Sequence, residues 1–200
     1  TLRRESCFPV FLSQREVEGF YHGFSNRTIW PLFHYFVQYV TYSKKLWRTY
    51  ERANELFLKT ILGIVKPGDT IWVHDYHLML LPSLIRTEVP DVHIGFFLHI
   101  PFPSFEVFRL LPWRRELLRG VLGADLVGFH TCDYVLHFLE SVRRLLAYEH
   151  SLGAISLPDR VVKVDTFPIG IDYERYNTAP ELPEIKKEIA RMRSRVGNRK

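Results

Sequence analysis

Three short apolar runs in this 200-residue chain each stop abruptly in polar side chains. The run 71–73 ends in His74–Asp75, 93–98 ends in His99, and 124–129 ends in His130–Thr131. A carboxylate accepts hydrogen bonds from neutral hydroxyls more strongly than a neutral group does, and imidazole gives or takes protons near neutral pH. Such a set suits a polar ligand. Each residue also has a purely structural explanation, since a strand-end Asp can cap a helix and a strand-end His can bond a loop carbonyl. Gathered at one crevice they favour a site, although spacing alone names no reaction.

Other chemistries have less support. His74, Asp75 and His77 have the composition of a metal cluster, but they straddle a strand end, where neighbouring side chains point to opposite faces. The helical HExxH arrangement is absent, and no Asp-x-Asp occurs to hold a metal–diphosphate. There is no G-x-S-x-G elbow, no P-loop and no G-x-G-x-x-G, so serine hydrolase, ATP and dinucleotide chemistry lack local motifs.

The elements that must position these residues follow from periodicity. Residues 70–73, 93–98, 124–129 and 161–167 have the length and β-branched or aromatic content of buried strands. Between them lie helical segments at 78–88, from Ser104 to Pro112, at 113–122, and from an N-cap at Thr131 to about 148. Residues 43–62 form the clearest amphipathic helix, with Ser43 as N-cap and Leu46, Trp47, Tyr50, Ala53, Phe57 and Ile61 on one face. Upstream, 14–24 reads as a short helix closing at Gly23 and 26–28 as a loop. The aromatic residues crowding 1–42 are expected to be mostly core, with a sugar-facing ring edge as the functional competitor. Strand–helix alternation predicts an α/β fold, a Rossmann-like doubly wound parallel sheet. Ligands of such sheets bind at the carboxyl edge, where Asp75 and His99 would then meet.

Composition bounds the function. A hydrophobic fraction of 46% and a charged fraction of 24% are those of an ordinary globular protein. The net charge of +5 comes without a basic–aromatic patch on a nucleic-acid motif, so no nucleic-acid partner is expected. No apolar run reaches the roughly 20 residues that span a bilayer, and none is expected to meet a membrane. The cysteines, Cys7 and Cys132, lie far apart outside any CxxC, which fits a reducing, cytoplasmic setting. The chain starts at Thr1 and runs out in a charged helix or linker over 176–200, so it is expected to be a piece of something longer.

Long ordered blocks carry a more specific signal. WVHDYHLMLLPSLIR, IGFFLHIPFPSFEVFRLLPWR and LVGFHTCDYVLHFL resemble the trehalose-6-phosphate synthases, as do YHGFSNRTIWPLFHY and FPIGID. The resemblance implies glycosyltransferase family 20 and the two-domain GT-B fold, with residues 1–175 as most of the N-terminal, acceptor-side domain. It implies a retaining transfer of glucose from UDP-glucose to glucose 6-phosphate, giving α,α-trehalose 6-phosphate without cofactor or metal. Departure and attack would occur on the same face, with the leaving phosphate helping to take the acceptor proton.

Carried over by motif, Tyr21 would bind the acceptor and Trp30 would line the sugar site and help select the anomer. Asp75 would accept acceptor hydroxyls, and His99 would contact the donor glucose and share in anomer selection. His74, His77 and His130 receive no role. The family's glycine-rich donor loop would precede Thr1, and its diphosphate-binding basic pair would lie in a C-terminal domain after Lys200. The 200 residues alone are therefore expected not to turn over. A sugar-phosphate-binding regulatory relative and a GT-B transferase with another acceptor are the alternatives. Oligomeric state stays open, a homo-oligomer included.

Overall fold

The computed structural model describes residues 7–197. The chain divides into two compact units, Thr1–Pro168 and Ile169–Lys200.

The first unit opens with α1 (Gln14–Val17), started by a reciprocal capping box between Ser13 and Glu16. It continues without a break into a π-helix, Glu18–Ile29, and then α2 (Trp30–Phe33). The loop expected over 26–28 is thus helical. Its wider turns are held by bonds such as Trp30 N–H to the Ser25 carbonyl, five residues back. Gly19 and Gly23 allow this helix to lie against α3 (Lys44–Leu62): a Cβ at either would sit 2.7 Å from Thr49 Cγ2 or Leu46 Cδ2. Ser43 caps α3 as expected, accepting the Leu46 N–H.

Then come β1 (Thr70–His74), α4 (Leu81–Glu88), β2 (His93–Phe97), α5 (Phe105–Phe108), α6 (Arg114–Val121), β3 (Leu126–Phe129) and α7 (Cys132–Leu146). A hairpin, β4 (His150–Ser151) and β5 (Ala154–Ser156), precedes β6 (Val161–Thr166). The sheet order is β1-β2-β3-β6-β5-β4. The first four of these strands run parallel, in the Rossmann-like manner expected. The hairpin adds two antiparallel strands that the sequence reading lacked, because two- and three-residue strands carry no periodicity. Thr131 caps α7 as expected, but the Ser104 side chain makes no capping bond at α5.

The core is built largely from aromatic rings. Phe24, Trp47, Tyr50 and Trp113 pack together on one side. Phe102 is surrounded by Phe33, Phe108, Phe129 and Phe138, with ring centroids 4.9–5.9 Å away. The expectation that aromatics upstream of 43 are mostly core is corrected: Phe20, Phe24 and Phe33 are buried, whereas Tyr21, Trp30, Tyr35, Phe36, Tyr39 and Tyr42 are exposed. On the π-helix Phe20 and Phe24 take the buried face and Tyr21 the outer one, and the remaining exposed rings lie beyond that helix.

The second unit contains α8 (Tyr173–Thr178), capped by the Asp172 carboxylate on the Arg175 N–H, and the charged helix α9 (Pro183–Val196) expected from the sequence. No helix among the described residues is long and apolar enough to cross a membrane.

Candidate active site

The register of β1 and β2 pairs His74 with Phe97, so Asp75 and His99 leave adjacent parallel strands at the same edge. Asp75 N–H continues the ladder, donating to the Phe97 carbonyl at 2.8 Å. One Asp75 carboxylate oxygen, Oδ1, then accepts the His99 backbone N–H at 3.1 Å. The two residues singled out by sequence are therefore in direct contact.

Asp75 adopts φ 74° and ψ 171°, a region that L-residues rarely enter. Strain of this kind costs of order 1–3 kcal/mol and persists only where the surroundings over-determine it. Here α3 supplies the brace. The hydroxyl of fully buried Tyr50 donates to the Tyr76 carbonyl at 2.8 Å and accepts the Met79 N–H at 3.0 Å. Asn54 Nδ2 donates to the carbonyls of Tyr50 and His77. Amphipathic periodicity marks α3 as a packed helix, and these polar tips on its buried face are what tie it to the Asp75 turn.

His99 is fixed at both ends. Its ring Nε2 lies 2.9 Å from His74 Nδ1, and His130 sits beside it at 5.6 Å between centroids. Beyond it, residues 100–103 are pinned by Phe102 in its aromatic cage, by His137 Nδ1 on the Phe102 carbonyl, and by the Ser104 N–H donated to Tyr35 Oη at 2.8 Å. Partial withdrawal from water lowers the His99 pKa. Asp75 opposes that shift, while His74 and His130 reinforce it. His99 is thus a neutral imidazole at neutral pH.

Tyr21 is 44% exposed and stacks on His77 at 5.2 Å with the planes 9° apart. His77 in turn lies against Tyr76, 3.9 Å between centroids, and Tyr76 Oη donates to Asn26 Oδ1 at 3.0 Å. Tyr21 is thereby tied to the Asp75 turn through two aromatic neighbours. Burial pushes the Tyr76 phenol up to about 12, with the Asp75 charge and Tyr21 adding to the rise, so it stays a neutral donor. Tyr76 and Asn26 went unmarked in the sequence. The signal available was their position inside two of the distinctive blocks, WVHDYHLMLLPSLIR and YHGFSNRTIWPLFHY.

Trp30 is 40% exposed and stacks on His34 at 4.0 Å. No hydrogen bond or ring contact joins it to Tyr21, Asp75 or His99 among the described residues. The link is indirect, since Tyr35 on the same segment grips Ser104, five residues past His99. Among the described residues no group of three or more His, Cys, Asp and Glu is arranged to hold a metal ion. Cys132 is an exposed free thiol whose sulfur accepts the Thr166 hydroxyl at 3.6 Å.

Comparison with known proteins decides the family. The sequence profile of glycosyltransferase family 20 matches residues 1–200. The chain belongs to glycosyltransferase family 20. Within that family, it is 51% identical over 201 residues to a bifunctional trehalose-6-phosphate synthase/phosphatase of Thermoproteus tenax, covering 100% of this chain and 27% of that protein. It is 48% identical over 197 residues to the UDP-forming α,α-trehalose-phosphate synthase of Pichia angusta, covering 96% and 42%. A crystal structure of a UDP-forming α,α-trehalose-phosphate synthase from Burkholderia xenovorans, in complex with glucose-6-phosphate, matches at a TM-score of 0.81 and 30% identity. That match covers 90% of this chain and 41% of the other. The chain thus spans less than half the length of these relatives.

Proposed function

We propose that this chain is most of the acceptor-side domain of a retaining glucosyltransferase that moves glucose from UDP-glucose to glucose 6-phosphate, giving α,α-trehalose 6-phosphate. The observation that carries the reading is the strained Asp75 turn held against His99 at the carboxyl edge of a family 20 domain. The relatives' names support the reaction, and the description of the Burkholderia xenovorans complex supports the acceptor.

Asp75 accepts hydrogen bonds from acceptor hydroxyls through Oδ2, to which nothing bonds among the described residues. His99 contacts the donor glucose as a neutral imidazole, which suits a sugar hydroxyl and avoids repelling the cationic glucose that develops. Tyr21 binds the acceptor from the π-helix, and Trp30 offers its exposed face to the sugar and helps select the anomer. The C1–O bond to UDP breaks as the bond from C1 to the acceptor oxygen forms on the same face. The acceptor proton passes to the departing phosphate. No cofactor and no metal is required. Residues 176–200 lead toward a C-terminal domain of the same protein that grips the nucleotide, and the reaction is placed in the cytoplasm.

The test is product formation by the full-length protein supplied with UDP-glucose and a panel of sugar phosphates. Trehalose 6-phosphate and UDP are expected, and the isolated 200 residues should give neither. Replacing Tyr21 by Phe should raise KM for glucose 6-phosphate with a smaller change in KM for UDP-glucose. Binding of glucose 6-phosphate without turnover would identify a sugar-phosphate-binding relative instead, and turnover of a different acceptor would identify another transferase.

A further inference from the structure

The consecutive residues 74 and 75 both hold His99, but by different parts. Asp75 takes its backbone N–H, and His74 meets its ring. His74 closes β1 in the register position opposite Phe97, one strand away. Two residues earlier on the same strand, and so on the same face, is the exposed Trp72, whose ring centroid is 4.5 Å from that of His74. The row continues from His74 to His99 at 5.2 Å with the planes 19° apart, then to His130 at 5.6 Å. Rings from the ends of β1, β2 and β3 thus line up across the edge of the sheet, with His99 in the middle.

A nitrogen–nitrogen distance of 2.9 Å is a hydrogen bond, which needs one protonated and one bare nitrogen. Two imidazolium rings would point N–H at N–H and lose it. The bond therefore does three things to His99. It occupies Nε2, it fixes the ring's rotation about χ2, and it penalises the charged ring pair. What remains for a ligand is Nδ1. Asp75, His74 and His130 are the titratable groups that act on the ring.

Resting on the glucosyl-transfer reading, we propose that His74 donates its Nδ1–H to His99 Nε2 and is thereby a positioning residue for that reaction, holding His99 as the neutral Nδ1–H tautomer with that N–H turned to the donor sugar. His74 would touch neither substrate itself. The analogous arrangement is common at metal sites, where the hydrogen bond on one ring nitrogen sets what the other can do and its loss typically costs about 10–100-fold.

The experiment uses the full-length protein with ¹⁵N-labelled histidine, wild type against His74→Ala and His74→Asn, His99 being assigned by its loss in His99→Gln. In the wild type the two His99 ring nitrogens should show one well-separated protonated and unprotonated pair. In His74→Ala the two shifts should move toward each other as tautomers interconvert, and His99 should titrate at higher pH. His74→Asn, whose amide can reach where Nδ1 stood, should restore most of the separation. In kinetics, His74→Ala should lower kcat about 10-fold or more, change KM for glucose 6-phosphate little, and move the acid limb of the pH profile upward, with rescue by Asn. His74 is exposed, so both variants are expected to fold. Unchanged His99 shifts in His74→Ala, or shifts that change while kcat stays at the wild-type value, would overturn the proposal. A wild-type protein that makes no trehalose 6-phosphate would instead overturn the reaction, while the nitrogen shifts would still report whether His74 sets the tautomer.

Discussion

Tyr50 donates its hydroxyl to the Tyr76 carbonyl across 26 residues of sequence, and through that one bond a buried side chain of α3 sets the backbone beside Asp75. The same oxygen accepts the Met79 N–H, so both sides of the turn hang from it. Burial pushes the Tyr50 phenol far above its usual range, which keeps the donor proton in place at any physiological pH.

Removing that oxygen should be costly out of proportion to its size. Tyr50→Phe leaves a carbonyl and an N–H unpaired in the interior, each worth about 1–3 kcal/mol. We expect denaturant unfolding to show a loss of about 2–4 kcal/mol, together with a fall in kcat in the full-length enzyme as Asp75 relaxes. A Tyr50→Phe protein of wild-type stability would show that the turn is held by something else.

Strain at Asp75 separates two small substitutions. Both Asp75→Ala and Asp75→Gly lose the bond from His99 N–H, but only glycine adopts φ 74° without a penalty. Asp75→Gly should therefore be the more stable of the two by about 1 kcal/mol. Both should lose acceptor use: a hydrogen bond to a charged group is worth about 1.5–3 kcal/mol, or roughly 10–150-fold in rate. Equal stabilities would remove the strain argument, and wild-type kinetics would remove Asp75 from the site.

Acid should destabilise the first unit through two histidines. Burial holds the pKa of His77 below the ordinary histidine value of 6.5, and His99 is shifted the same way. The unfolded chain then binds protons that the folded one refuses. Their stability contribution is complete above about pH 6.5 and is lost as pH falls through the folded-state pKa values. His77 Nε2 is buried and has no hydrogen-bond partner, so His77→Phe should keep or raise stability at pH 7 and flatten the fall in Tm between pH 7 and 5. A Tm that falls as steeply in this variant would place the acid sensitivity elsewhere.

The opposite edge of the sheet should behave as scaffold. Arg86 donates to the carbonyls of Pro90, Val92 and Gly123 and to Asp125 Oδ1, while Asp125 Oδ2 accepts the Ile94 N–H. This partly buried pair ties α4 to the beginnings of β2 and β3. Asp125→Ala should cost about 2–4 kcal/mol while leaving KM for both substrates and kcat near wild type below the transition. A kinetic defect at full folding would extend the site beyond the carboxyl edge.

Much of this protein is legible without coordinates. Short runs at 70–73, 93–98, 124–129 and 161–167 specify strands through their length and β-branched or aromatic content, although only β2 and β3 bury most of their side chains, while β6 buries alternate ones and β1 only Val73. Ser43 and Thr131 announce their helices because a hydroxyl before a periodic run satisfies an orphan N–H. The strand-end positions of Asp75 and His99 follow from the same pattern, and the motif blocks alone point to family 20. Local chemistry reaches no further. A π-helix differs from an α-helix by one residue per hydrogen bond, so the side chains of 18–29 do not reveal it, nor which of their rings face out. The contact of His74 with His99, the reach of Tyr50 to Tyr76, and the stacking of Tyr21 on His77 join residues 25, 26 and 56 positions apart. Such pairs depend on register and on which helix lies over which strand, and only packing of the whole unit fixes those.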